Sequence, residues 1–312
     1  MTESVLVLTG AADLIRLQHA CPGAEFVEIS DTDVLPEAAD RATVIVLRSG
    51  VALGEPQLIR LPALQHVVRP GSGTDNLDLA ALARRGIVLH RHPQAGAAAV
   101  AEWVLASALC LTRRIPLGHN ALARGLHAKA ACVGTPLAEA DVAVWGAGPV
   151  GRAVGRTLAP FVQQVTFARW PSNPPQLPQQ SAHTLIEQSA IHVIALPLRP
   201  GTRHLFGEPF LTRIAERSPL LICAGRAETL DLSACLRALG EQRLAGLALD
   251  AVEPEHIPLL HTTTEPLNLL ATPHIGAQRS DVRTELDTWA GELIVQLTSP
   301  QRVSSAAVGG RR

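Results

Sequence analysis

The chain has 312 residues, a length that predicts about two domains, and its formal net charge of −1 gives no reason to expect binding to nucleic acid or to an anionic membrane. The five cysteines are widely spaced and include no C-x-x-C pair, so the sequence indicates neither a disulfide framework nor a zinc site and fits a reducing cytoplasm. The absence of tyrosine excludes a catalytic tyrosine, and no apolar run reaches membrane-spanning length.

The first part of the chain alternates strand and helix patterns. Strands are predicted over residues 4–9, 43–47, 65–68 and 87–90, and helices over residues 11–20 and 77–85. A loop containing glycine and proline, residues 69–78, precedes the second helix, which Asp75 or Asn76 can cap. Because strands that alternate with helices favour a parallel sheet, this part of the chain reads as a small α/β unit.

The rest of the chain begins with a long apolar helix and then repeats the α/β pattern. The helix over residues 97–111 is hydrophobic nearly all round, which predicts burial, often against a second subunit. Further strands are predicted from residue 142 and over residues 165–168, 192–196, 220–223, 245–249 and 268–271, and helices over residues 152–158, 231–239 and 281–297. The tail over residues 304–312 is small and polar, and we expect it to be disordered.

A glycine-rich turn follows the strand that starts at residue 142. It reads Gly146-Ala147-Gly148-Pro149-Val150-Gly151 and leads into a helical pattern, the context in which G-x-G-x-x-G predicts a dinucleotide site. Gly146 allows the tight turn, Gly148 allows a pyrophosphate to approach the backbone, and Gly151 allows the helix to pack closely on the strand. The alternative is a glycine-rich turn in an ordinary α/β protein.

Three polar residues follow later strands of the same predicted sheet. Arg226, Glu255 and His274 come after the strands over 220–223, 245–249 and 268–271, at the edge where open α/β sheets bind ligands. A protonated imidazole can donate a proton to a carbonyl oxygen, a carboxylate can orient that imidazole, and a guanidinium can bind a substrate carboxylate. Each residue also has an ordinary interpretation: Arg226 as a surface arginine, Glu255 as a solvated loop residue and His274 as a capping or core residue.

Several blocks of sequence resemble one family. These are GSGTDNLDLAALARRGI at 71–87, AVAEWVLASALCLTRR at 99–114, VWGAGPVGRAVGR at 144–156, LPLRPGTRHLF at 196–206, AGRAETLDLSACLRAL at 224–239, LAGLALDAVEPE at 244–255 and TPHIGA at 272–277. On these blocks the chain resembles the D-isomer-specific 2-hydroxyacid dehydrogenases, over nearly all residues from about 43 to 297. The resemblance implies two Rossmann-like, doubly wound parallel-sheet α/β domains with a cleft between them, a discontinuous substrate-binding domain over 1–96 and 281–312, and a dinucleotide-binding domain over 97–280.

The resemblance also implies roles for individual residues. Arg226 matches the catalytic arginine, His274 matches the acid–base histidine, and Glu255 matches the glutamate that supports it. The implied cofactor-binding residues are Gly146, Gly148, Pro149, Val150, Gly151, Arg169, Pro197, Thr202, Ala224, Asp250 and Gly276. The implied substrate-binding residues are Arg48, Ser49, Ser72, Gly73 and Thr74. A homodimer built on the apolar helix is implied as well, with no metal.

Two departures from the family pattern bear on function. The position that would carry an acidic residue for the ribose, about 20 residues beyond the glycines, is Arg169, whose guanidinium can pair with a 2′-phosphate. We therefore expect NADP(H) in preference to NAD(H). Near the catalytic arginine, Cys223 stands where the family has asparagine, and Ala227-Glu228 replaces a glycine pair.

The sequence thus favours an NADPH-dependent oxidoreductase that reduces a small 2-keto acid, of the glyoxylate/hydroxypyruvate type, to the D-2-hydroxy acid. Two alternatives stay open: oxidation of another small anion, such as phosphite, on the same scaffold, and a catalytically specialised NAD(P)-sensing binding protein. A formate-type enzyme would carry glutamine where this chain has Glu255, which argues against that branch.

Overall fold

The computed structural model describes residues 4–261 and 265–298, so the predicted tail over 304–312 lies outside the described residues. The chain divides into two compact units. The first comprises the described residues up to His92 together with those from Arg283 onward, and the second is Pro93–Val282. Each unit is built on one sheet in which all paired strands are parallel, which confirms the predicted α/β fold class.

The strands form a five-stranded and a seven-stranded sheet. The first sheet, in the order β2-β1-β3-β4-β5, contains β1 (Ser4–Leu8), β2 (Glu25–Ile29), β3 (Ala42–Val46), β4 (His66–Arg69) and β5 (Val88–Arg91). The second, in the order β12-β11-β10-β9-β6-β7-β8, contains β6 (Asp141–Trp145), β7 (Gln164–Ala168), β8 (Gln179–Gln180), β9 (Ile191–Ile194), β10 (Leu220–Cys223), β11 (Gly246–Leu249) and β12 (Leu269–Ala271).

Helices connect the strands and cover the sheets. They are α1 (Leu14–Ala20), α2 (Glu55–Ile59), α3 (Leu79–Arg84), α4 (Ala97–Thr112), α5 (Ile115–Ala123), α6 (Pro149–Leu158), α7 (Ala182–Gln188), α8 (Glu208–Ile214), α9 (Leu232–Gly240), α10 (Ile257–Leu260) and α11 (Ser280–Thr298). Of these, α2, α5, α7, α8 and α10 were not predicted, nor were the strands β2 and β8. No described helix is both long and apolar enough to cross a membrane.

Short polar side chains fix where several helices begin. The Asp13 carboxylate accepts the backbone N–H groups of Ile15 and Arg16 at the start of α1, and Asp231 accepts that of Ala234 at the start of α9. The cap of α3 is Asp78, whose Oδ1 accepts the Ala81 N–H at 2.9 Å, so the prediction of Asp75 or Asn76 is wrong. Capping with an aspartate contributes about 1 kcal/mol by satisfying otherwise unpaired N–H groups.

The central strands are continuous apolar runs because helices cover both faces of a parallel sheet. In the first unit every residue of β1 is buried, and Ala290 and Ile294 of α11 pack against the face that carries Val5 and Val7. Full burial of a side chain such as Ile294 stabilises the fold by about 1.5–3 kcal/mol. The first unit therefore takes part of its core from the far end of the described chain.

The apolar helix α4 buries one face within its own unit. Ala101, Val104 and Ala108 lie in the core with residues of the second sheet and of α6. Glu102 is exposed, and Leu109 retains 43% of its surface. The small residues on the buried face let α4 approach α6 closely, which explains why a helix so rich in alanine lies in the core.

Candidate active site

The glycine-rich turn follows β6 and requires glycine at its first and last positions. Gly146 has φ +112°, and a Cβ there would lie 2.6 Å from the Ala195 carbonyl oxygen. A Cβ on Gly151 would overlap the carbonyl group of Gly146. The turn and the first residues of α6 therefore pack backbone against backbone, which no larger residue permits.

The N-terminus of α6 is open at this turn. Gly148 is the N-cap residue, and among the described residues no side chain caps the helix and a Cβ on Gly148 would have no atom within 4 Å apart from its chain neighbours. Pro149 occupies the first helical position, followed by Val150 and Gly151. An uncapped helix N-terminus attracts anions, and the turn lies where the strand order reverses, between β9 and β6. The residues present therefore fit the pyrophosphate of a dinucleotide.

Other predicted cofactor residues follow β7, β9 and β10 at the same sheet edge. Arg169 comes directly after β7 and its side chain is exposed. The Thr202 hydroxyl donates to the Pro197 carbonyl oxygen at 2.7 Å and accepts from the Arg199 N–H at 2.8 Å, which ties the loop after β9 together. The Ala224 N–H donates to the carbonyl oxygen of Ile194 at 2.9 Å.

The predicted catalytic arginine begins a short 3-10 turn after β10. Arg226 is half-buried, and its carbonyl oxygen accepts the Thr229 hydroxyl at 2.7 Å and the Cys223 Sγ at 3.4 Å. Burial raises the pKa of the Cys223 thiol, so this group is a protonated donor. The cysteine at the family's asparagine position thus contacts the backbone of Arg226. Thr229 supports the same turn and had no signal in the sequence.

The buried carboxylate of Asp250 organises the turn after β12. Its Oδ1 accepts from the Thr272 hydroxyl at 2.7 Å and from the Ile275 N–H at 2.8 Å, and its Oδ2 accepts from the Gly276 N–H at 2.7 Å. A Cβ on Gly276 would lie 2.6 Å from that Oδ2. Hydrogen bonds to an ionised acceptor are stronger than neutral ones, so this carboxylate fixes the segment that carries His274.

His274 contacts a glutamate other than the one that the sequence indicates. Its backbone is left-handed, with φ +58°, and its Nδ1 lies 3.4 Å from Oε1 of Glu253. Glu255, the expected partner, lies exposed in the 3-10 turn Pro254–His256. The contact therefore differs from the expectation, because the turn that starts at Glu253 brings the first of the two carboxylates to the histidine.

The predicted substrate residues lie at the carboxyl ends of β3 and β4 in the first unit. Arg48 Nε donates to the carbonyl oxygen of Thr9 at 2.9 Å, and the carbonyl oxygen of Ser72 accepts from Arg91 at 2.9 Å. Gly73 and Thr74 continue this loop, and Ser49 follows Arg48. Within residues 4–261 and 265–298, no three or more His, Cys, Asp or Glu side chains are arranged to hold a metal ion.

Comparisons with known proteins agree on one family. Residues 105–276 match the profile described as D-isomer specific 2-hydroxyacid dehydrogenase, NAD binding domain. D-3-phosphoglycerate dehydrogenase of Methanocaldococcus jannaschii is 27% identical over 296 residues, which cover 90% of this chain and 55% of that protein. The chain therefore spans about half the length of the curated relatives that it matches.

Solved structures share the fold along almost the whole chain. D-lactate dehydrogenase from Aquifex aeolicus, complexed with NAD and lactic acid, superposes with a TM-score of 0.83 at 20% identity, covering 95% of each chain. A glyoxylate reductase from Paecilomyes thermophila gives a TM-score of 0.82 at 21% identity, also covering 95% of each chain. Because the family profile covers more than half of the sequence, this chain belongs to the D-isomer specific 2-hydroxyacid dehydrogenase family.

Proposed function

We propose that the chain is an NADPH-dependent oxidoreductase that reduces a small 2-keto acid, of the glyoxylate/hydroxypyruvate type, to the D-2-hydroxy acid. The observation that carries this proposal is the contact of the His274 imidazole with a carboxylate, at the sheet edge that also holds the glycine-rich turn. A histidine held in this way is suited to proton transfer, and the open N-terminus of α6 is suited to a dinucleotide. Family membership supports both assignments.

In this proposal the turn over residues 146–151 holds the pyrophosphate. When bound, a reduced nicotinamide supplies the hydride that the carbonyl carbon accepts. Negative charge then develops on the carbonyl oxygen, and His274 supplies the proton that neutralises it. The His274 Nδ1 faces a carboxylate, which leaves Nε2 as the nitrogen that carries this proton.

The acid is bound in this proposal by polar groups that match its carboxylate. Arg226 offers a guanidinium fork that matches a carboxylate in geometry and charge. By resemblance to the family, we also assign substrate binding to Arg48, Ser49, Ser72, Gly73 and Thr74. The five free cysteines are compatible with a reducing compartment, and we place the protein in the cytoplasm.

The preference for NADPH rests on Arg169. This residue follows β7, where a dinucleotide-binding sheet places the group that meets the ribose 2′ position. Its side chain is exposed and can turn toward a 2′-phosphate, and a guanidinium pairs with phosphate through two parallel hydrogen bonds. The uncharged 2′-hydroxyl of NADH would form a weaker interaction with the Arg169 guanidinium than the 2′-phosphate of NADPH.

The test is a spectrophotometric screen at 340 nm of wild-type protein and the His274→Ala variant. NADPH and NADH are each combined with glyoxylate, hydroxypyruvate, pyruvate, phenylpyruvate and longer 2-keto acids. We expect NADPH oxidation with at least one acid, a higher kcat/KM for NADPH than for NADH, and a loss of kcat in the variant by about 10²–10⁴-fold. Cofactor binding, followed by fluorescence, serves as the control and should be the same in both proteins.

Two results would overturn the proposal. Equal turnover by the variant would remove His274 from the reaction. Tight NADPH binding without oxidation of NADPH by any of the acids would leave the two alternatives, a dehydrogenase that oxidises another small anion and a catalytically specialised NAD(P)-sensing binding protein. Assays with phosphite and NADP⁺ then distinguish between them.

A further inference from the structure

Three histidines lie at one edge of the first sheet. His66 belongs to β4, His90 belongs to the edge strand β5, and His92 follows β5 directly. In the parallel register His66 pairs with Val88 and Val68 pairs with His90, so His66 and His90 lie on the sheet face that carries the buried Val68. Both histidines are half-buried, since β5 is the last strand in the order β2-β1-β3-β4-β5. Two imidazoles therefore meet at an edge that solvent can reach.

The two rings are placed like two ligands of one metal ion. The His90 Nε2 lies 3.3 Å from the His66 Nδ1, and the ring centroids are 5.3 Å apart. Bonds of about 2.0–2.1 Å at the tetrahedral angle of Zn²⁺ put two ligand nitrogens about 3.3–3.4 Å apart and their ring centroids about 5.2 Å apart. Nitrogens that pointed straight at each other across 3.3 Å would leave the centroids about 5.6 Å apart. The observed distances therefore match those of a shared ion.

His90 is uncharged at neutral pH, as a metal ligand must be. Burial is the largest cause that lowers the pKa of His90 below its usual value, and the neighbouring His66 adds to the effect. A neutral imidazole keeps a lone pair on one ring nitrogen, which can bind a metal ion. Binding of an ion between the rings therefore needs only the tautomers that leave both facing nitrogens without hydrogen.

His92 has other contacts and does not belong to the pair. Its Nε2 lies 3.5 Å from Oε1 of Glu285, and its ring stands edge-on to Trp289 of α11, with the centroids 5.4 Å apart. Within residues 4–261 and 265–298, no third His, Cys, Asp or Glu side chain joins His66 and His90 in a group that could hold a metal ion. Water would fill the remaining coordination positions, which makes the site open rather than closed.

We propose that His66 and His90 form a binding site for a divalent transition-metal ion of the zinc type, with water as the remaining ligands. Imidazole suits Zn²⁺, Cu²⁺ and Ni²⁺, whereas Mg²⁺ and Ca²⁺ prefer oxygen ligands, which sets the class of ion. The ion joins β4 to the edge strand β5 and takes no part in the proposed reduction. Because it binds the folded pair of strands more tightly than the unfolded chain, it stabilises the protein.

The test uses the full chain without a histidine tag, stripped of metal with a chelator. Isothermal titration with Zn²⁺ compares the wild-type protein with His66→Gln and His90→Gln, and His92→Gln is the matched control from the same edge of the sheet. Mg²⁺ serves as the control ion. A second measurement needs no variant, because electron paramagnetic resonance of the wild-type protein with one equivalent of Cu²⁺ counts the imidazole nitrogens that bind the ion.

We expect the wild-type protein to bind one Zn²⁺ per chain with a Kd in the micromolar range and to show no binding of Mg²⁺. Each of His66→Gln and His90→Gln should weaken Zn²⁺ binding by at least about tenfold, since loss of a group that only supports a metal ligand already costs about 10–100-fold. His92→Gln should bind Zn²⁺ like the wild type. The Cu²⁺ spectrum should show two bound imidazoles, and Zn²⁺ should raise the thermal midpoint of the wild type and of His92→Gln alone.

Zn²⁺ affinity that is equal in the wild type, His66→Gln and His90→Gln would overturn the proposal, because the ion would then bind elsewhere or not at all. A Cu²⁺ spectrum with fewer than two bound imidazoles would overturn it as well, and this result decides the matter even if a variant fails to fold. Neither measurement involves a keto acid or a nicotinamide, so failure of the proposed function leaves the outcome of this test unchanged.

Discussion

His192 is a fully buried histidine in the middle of the second sheet. Its Nδ1 accepts the Trp145 indole N–H at 3.2 Å, and the rings of Phe206 and Phe210 complete the cluster around them. Its Nε2 has no hydrogen-bond partner among the described residues. Burial lowers the pKa of His192 to about 3, so the ring is neutral in the folded protein at neutral pH.

This residue predicts a loss of stability in mild acid. The folded-state pKa lies below the unfolded value near 6.5, so the unfolded chain binds the extra proton and stability falls as pH drops from about 6.5 toward 3. Between pH 7 and pH 5 His192 should cost about 2 kcal/mol of unfolding free energy. Urea unfolding at the two pH values should show a smaller loss in His192→Gln; equal losses would contradict this account.

At the scale of elements, two glycines at the start of α6 have different roles, one in packing and one in leaving space for a ligand. Gly151 is needed for packing, since a Cβ there meets the Gly146 carbonyl group. A Cβ on Gly148 would meet no atom of the described residues within 4 Å apart from its chain neighbours, and the backbone angles of Gly148 are extended ones that alanine also adopts. One glycine therefore serves the fold, and the other leaves a surface open at the start of a helix.

A pair of variants tests this division. Gly151→Ala should lower the unfolding free energy by about 1–3 kcal/mol, because the backbone must move to admit the new atom. Gly148→Ala should retain wild-type stability and weaken NADPH binding by roughly tenfold, about 1.4 kcal/mol, since its methyl group occupies the approach to the helix N-terminus. Thermal unfolding and fluorescence titration measure the two effects. Unchanged NADPH affinity in Gly148→Ala would argue against a pyrophosphate at this turn.

The same scale shows which elements the sequence could predict. The strand predicted over 220–223 is observed as β10 because all of its residues are apolar and buried. The edge strand β2 was not predicted from the sequence, because Glu25 and Glu28 interrupt its apolar pattern and most of its residues reach solvent. A buried strand of a parallel sheet is recognisable in the sequence as a continuous apolar run, whereas an edge strand has a weaker apolar pattern.

The candidate site was predictable in part for a related reason. Strand ends placed Arg226 and His274 at one edge of the second sheet, since parallel strands end together. The contact of His274 with Glu253 was out of reach, because two carboxylates two residues apart look alike in sequence. The choice between them depends on the 3-10 turn Pro254–His256, in which Nδ1 of the buried His256 accepts the Glu253 N–H at 3.0 Å.

At the scale of the whole molecule, the exposed apolar side chains bear on self-association. Apolar side chains are exposed along α5 and the residues near it, among them Ile115 at 54% and Leu122 at 66%. Exposed apolar groups that cluster on one part of a protein often mark a protein interface. We propose a homodimer that uses the region of α4 and α5, in agreement with the family resemblance.

Light scattering after size exclusion tests the dimer. The double variant Ile115→Lys, Leu122→Lys should elute as a monomer, because two buried ammonium groups would have to lose their hydration at the interface. Val34→Lys, at an apolar residue of the first unit that is 73% exposed, is the control and should remain dimeric. A wild-type protein that is monomeric at micromolar concentration would contradict the proposal.

The packing of α11 on β1 has a consequence for synthesis on the ribosome. Val5 and Ile294 belong to the same core although 289 positions separate them. At a synthesis rate of 5–20 residues per second, β1 is therefore made about 15–60 s before the part of α11 that packs on it. The second unit, Pro93–Val282, is continuous and can be completed in that interval. Until then the face of the first sheet that carries Val5 and Val7 has only the cover that α1 supplies, through Leu17, and the apolar side chains that α11 later buries stay in contact with solvent in the nascent chain.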